Sequence, residues 1–126
     1  MVARVALVAL LLLPAVARAD KTFAKGPGET WDCAKDAVVT IRTSKATFGL
    51  FGECKRVTIT GGKNAVSVVT TAKLVVTGSD NMVDVEQVDT IAVGGARNTV
   101  TWKHAGRGDK PKITPGAKSN KVEQAK

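Results

Sequence analysis

Val57-Thr58-Ile59-Thr60-Gly61-Gly62-Lys63-Asn64-Ala65-Val66-Ser67-Val68 is followed by two further copies of its own pattern. The second is Leu74-Val75-Val76-Thr77-Gly78-Ser79-Asp80-Asn81-Met82-Val83-Asp84-Val85, and the third is Ile91-Ala92-Val93-Gly94-Gly95-Ala96-Arg97-Asn98-Thr99-Val100-Thr101-Trp102. Asn64, Asn81 and Asn98 recur every 17 residues, and a fixed period of about this length signals a repeat architecture. Within each copy, apolar residues alternate with Thr, Ser, Asp, Ala and Gly on either side of the Gly-Asn corner. Strict alternation predicts half-buried strands, and the apolar positions favour the β-branched residues that strands accommodate. Each copy is therefore a strand, a tight corner and another strand.

Working outward, Val39–Leu50 is a degenerate copy with Ala46 in the Asn column. A last copy carries Asn120 after a longer connection, with Ile113 and Val122 in apolar columns and Pro115 where a strand residue would stand. Proline cannot donate to a ladder and belongs at an edge, so the repeat ends here. Two folds suit the pattern. The expected one is an all-β parallel solenoid of five short coils, two strands per coil; the alternative is an antiparallel β-meander or sandwich. The solenoid has a physical advantage. It stacks Asn64, Asn81, Asn98 and Asn120 into one column whose amides can bond along the stack. It also aligns Gly61, Gly78 and Gly95 beside them, where a positive φ is expected. The expected domain plan is a signal peptide at 1–19, an irregular lead-in at 20–30, the β-repeat at 31–122 and a mobile tail at 123–126.

The N-terminus reads as a secretory signal: Arg4, an apolar run from Val5 to Ala17, and Ala17-Arg18-Ala19 as the cleavage site. The run is shorter than the roughly 20 residues that span a bilayer, and no transmembrane segment is expected in the mature chain. The protein is expected in the periplasm or outside the cell. In that setting Cys33 and Cys54 read as one disulfide; the other readings are two free thiols or half a metal site, with no His near either Cys. The net charge of +8 becomes +6 without Arg4 and Arg18, which favours anionic partners through long-range attraction or serves solubility alone.

Candidate chemistry is sparse. His104 is the only histidine and lacks a nearby Ser or Cys to activate. Asp80, Asp84, Glu86 and Asp89 crowd one copy, but Lys63 and Arg97 occupy neighbouring corners, so a solvated surface is expected in place of a metal site. Thr58-x-Thr60 and Thr99-x-Thr101 suggest hydroxyl rows, interrupted by Val75, Asp84 and Gly94. With two Trp and three Phe in all, no aromatic platform remains for stacking bases, so no nucleic-acid partner is expected. No catalytic residue, metal or cofactor is assigned. The expected function is an exported structural or interaction module of the cell envelope, partnered by an anionic envelope polymer or another envelope protein. The alternative is a binding module whose inserted loop docks that polymer through Lys103, Arg107, Lys110 and Lys112.

Several stretches carry a resemblance. D-C-A at 32–34, G-E-C at 52–54, V-T-I-T-G-G-K-N at 57–64, V-V-T-G-S-D-N at 75–81, V-G-G-A-R-N-T-V-T-W at 93–102 and P-K-I at 111–113 resemble the exported bacterial family catalogued as domain of unknown function 3060. The resemblance runs from Asp32 to Val122 and departs at Ala46, where an Asn corner is usual. It implies the repeat and export, and it transfers no active site.

Overall fold

A computed structural model describes residues 20–125; the expected signal peptide at 1–19 and the terminal Lys126 lie outside them. The strands are β1 (Asp20–Phe23), β2 (Thr30–Asp32), β3 (Val38–Ile41), β4 (Thr47–Ile59), β5 (Ala65–Val76), β6 (Met82–Val93), β7 (Thr99–Ala105), β8 (Lys112–Thr114) and β9 (Lys121–Gln124). Every pairing between them is parallel. This excludes the meander, whose neighbours would run antiparallel, and makes the molecule a β-solenoid. Its stacked corners hold Ala46, Asn64, Asn81, Asn98 and Asn120.

The register stacks like on like. Phe48, Val66, Val83, Val100 and Val122 form one inward column, and Leu50, Val68, Val85 and Trp102 form the next. Opposite them stand Val39, Val57, Leu74, Ile91 and Ile113, with Ile41, Ile59, Val76 and Val93 alongside. Almost all are fully buried. One coil cannot cover its own apolar side chains, so each depends on neighbours about 4.8 Å above and below.

The two inward runs of a coil are not separate strands in the middle of the molecule. β4, β5 and β6 keep pairing through a bend, where Cys54, Thr71, Val88 and Ala105 stack. The Cys33–Cys54 disulfide, with Cα atoms 5.0 Å apart, ties the first coil to the head of this column. In β4 the register slips between Leu50 and Glu53. The extra residue is taken up at Phe51 and Gly52, the latter at φ +80°, as in a β-bulge.

Two boundaries differ from expectation. The lead-in is not irregular throughout, because Asp20–Phe23 pairs with Val38–Ile41 and places Phe23 over the Ile41 column. The strand is too short for alternation to reveal it. Phe23 packs against Phe48 and Trp31 at centroid distances of 4.9 and 5.8 Å, so these rings close that end of the core. The tail also begins later than expected. Glu123 and Gln124 pair with Thr101 and Trp102, and Gln124 Nε2 donates to the Lys103 carbonyl at 3.0 Å. Gln124 is polar at an inward position, which hides the strand from an apolar pattern.

Candidate functional site

The Asn column is buried, with Asn64, Asn81 and Asn98 at most 2% exposed. Each side chain grips the backbone of the coil before it. Asn64 Oδ1 accepts from the Ala46 N–H, Asn81 Oδ1 from Asn64, Asn98 Oδ1 from Asn81, and Asn120 Oδ1 from Asn98, all at 3.0 Å. The Nδ2 groups donate to the carbonyls of Thr43, Gly61, Gly78 and Gly95 in the same order, at 2.8–3.0 Å. Amide-to-amide bonds add to this from Asn81 to Asn98 and from Asn98 to Asn120, at 3.1 and 3.2 Å. The column therefore works mainly as a side-chain-to-backbone ladder. It supplies partners to corner groups that strand pairing cannot reach, as buried backbone requires.

The corner glycines have a different role from the expected one. Gly61, Gly78 and Gly95 do not have positive φ. A Cβ on any of them would overlap the carbonyl oxygen of Thr43, Gly61 or Gly78 below, which is the carbonyl that the next Asn amide engages. Glycine is needed for close approach. The left-handed residues are Lys45, Lys63, Asp80 and Arg97, at φ 56–60°.

The acids on and just after the second copy are dispersed by their contacts. Asp80 receives a two-pronged pair from Arg97 at 2.9 and 3.1 Å; the guanidinium hydrogen bond holds its carboxyl below the usual range. Asp84 accepts from the Thr101 hydroxyl, and Asp89 lies 3.9 Å from Arg107. Among the described residues no three His, Cys, Asp or Glu side chains group to hold a metal ion. No helix among them is long and apolar enough to cross a membrane.

The inserted loop is a corner. Ala105 pairs with Val88 and Lys112 with Thr90, so the extra residues replace the bend at Asp89. Lys103 leaves from β7, Lys112 from β8, and Arg107 and Lys110 from the exposed connection between them. Arg107 is engaged by Asp89. His104 is exposed and lies beside Gln87 in the ladder.

Among the grooves outside the core, two cross the strand faces. One, of about 420 Å³, crosses the runs that follow the Asn corners; it is flanked by exposed Phe51 and Val69, with Gly49 of β4 and Ser67 of β5 paired along it. The other, of about 590 Å³, crosses the runs that precede the corners and carries Lys55, Arg56 and Lys73 beside Thr22, Thr40 and Thr58.

The family model described as "Protein of unknown function (DUF3060)" matches residues 41–83 and 70–118. The chain belongs to this family. No curated protein and no solved structure matches it. In this member of DUF3060 the matched region spans the Asn64, Asn81 and Asn98 corners and the strands between them, so the family signature lies on the ladder and core. The basic groove was not singled out from the sequence. Arg56 and Lys73 are 17 residues apart in the chain, whereas Lys103, Arg107, Lys110 and Lys112 fall within a single short stretch. The period itself was the available signal: Arg56 and Lys73 occupy the same outward column.

Proposed function

We propose that this DUF3060 protein is an exported structural or interaction module of the cell envelope, with no catalytic residues of its own. One observation carries the reading: the most distinctive polar residues of the repeat, its Asn column, are committed to bonding coil to coil. They are spent on rigidity, and what remains for function is a pair of long, ruled outer faces. Loops and faces held by a rigid scaffold are where binding residues sit. The disulfide and the N-terminal apolar run support export, since disulfides persist in oxidising compartments.

Fractionation of expressing cells tests this. The expected result is a protein that has lost residues 1–19, has no alkylatable thiol and sediments with envelope material. A cytoplasmic protein with two free thiols would refute the reading.

A further inference from the structure

We infer that the groove across the runs preceding the Asn corners binds a strand of acidic polysaccharide. The inference rests on the envelope reading only for where such a polymer would be met. Strand register places Arg56 directly beside Lys73, with Lys112 two strands further along the same column, past Thr90. Lys55 lines the groove next to Arg56, and Asp20 is the one acid lining it. None of Lys55, Arg56 and Lys73 forms an ion pair among the described residues.

This arrangement is unfavourable without a partner. Like charges facing each other across a parallel ladder about 4.8 Å apart repel. The same molecule shows the other solution at its corners, where Arg97 stands over Asp80. Edge protection does not explain Arg56 and Lys73, which lie on β4 and β5, strands paired on both sides. A row of hydroxyls lies in a neighbouring column, where Thr22, Thr40 and Thr58 occupy β1, β3 and β4 in register and meet the cations at β4. Cations suit carboxylates, and neutral hydroxyls at the same strand repeat suit the hydroxyls of successive sugars. The groove is lined by no aromatic ring, so it offers nothing for stacking bases.

The test uses the purified protein with polygalacturonate (charge and sugar), dextran (sugar alone), inorganic polyphosphate (charge alone) and single-stranded DNA. Polygalacturonate is expected to bind best, and to weaken steeply as salt rises to the physiological range, where the Debye length is about 8 Å. A Lys55→Ser/Arg56→Ser/Lys73→Ser variant is expected to lose about tenfold in affinity at unchanged melting temperature. Asp20→Asn should gain affinity, which a folding defect cannot imitate. A Lys103→Ser/Arg107→Ser/Lys110→Ser variant should bind like the parent. The inference is overturned if the parent does not bind polygalacturonate, if polyphosphate or DNA binds as tightly, or if the groove variant binds like the parent. An equal loss in the loop variant would also overturn it. Envelope sedimentation without polygalacturonate binding would leave the envelope reading standing and remove this one; binding by a protein that never reaches the envelope would do the reverse.

Discussion

At the residue scale, one Asn and one Gly cooperate at each of the corners of Asn64, Asn81 and Asn98. A Gly without a Cβ lets its coil approach the one below until that coil's carbonyl meets the Asn amide of the Gly's own coil, and the Asn oxygen accepts a backbone N–H of the coil below. Asn81→Ala removes both contacts and leaves the Asn64 N–H and the Gly61 carbonyl buried without their partners. The expected cost is about 1–3 kcal/mol. Lys63→Ala, an exposed change one position from the ladder, should stay within about 0.5 kcal/mol. Urea unfolding of both variants measures the difference, and equal effects would show that the Asn is not bearing the corner. The glycines give a second contrast. Gly78→Ala forces a Cβ into the Gly61 carbonyl and should cost about 3 kcal/mol. Gly94→Ala meets nothing nearer than a Thr77 methyl at 3.6 Å and should be tolerated. The sequence marked both columns by their period. It could not show why the glycines are there, because the obstructing carbonyl belongs to a residue of the coil below, Gly61 in the case of Gly78. Nor could it place the left-handed backbone on Lys63 and Arg97, residue types that seldom adopt it.

At the element scale, alternation decides which way each side chain faces. Val83 is fully buried and Asp84 is exposed, as the period of two in β6 requires. Val83→Asp places an unpaired charge between Val66 and Val100 and should prevent folding. Asp84→Val removes only a surface bond to Thr101 and should leave a cooperative unfolding transition. Circular dichroism of the two variants checks this; the opposite outcome would mean a register shifted by one. The alternating runs within β5 and β6 were legible for this reason, although their continuation as one strand through the bend was not. Shorter or irregular pieces were not. β1 has four residues and a single buried side chain, the bulge at Phe51–Gly52 breaks the period by one, and β9 carries Gln124 where the pattern asks for an apolar residue. The basic groove escaped for a related reason: a face is a property of several elements, and its residues are adjacent only after stacking.

At the scale of the whole molecule, stability is shared among coils, and the disulfide acts at one end. It closes a loop of 21 residues, so its reduction should lower stability by about 3 kcal/mol in the chain-entropy picture. A urea midpoint unchanged by reductant would contradict that. The opposite end has no covalent tie among the described residues. It ends instead in Asn120, which accepts from the Asn98 N–H and donates to the Gly95 and Pro115 carbonyls. This one-way grip has a consequence in time. A ribosome makes Ala46 before Asn64, Asn64 before Asn81, and Asn81 before Asn98. Every backbone group that an Asn side chain seeks has already been synthesised when that Asn appears. Each Asn side chain can therefore engage as soon as it is made, while two backbone donors of its own corner, such as the N–H groups of Lys63 and Asn64, stay open until Ser79 and Asn81 arrive.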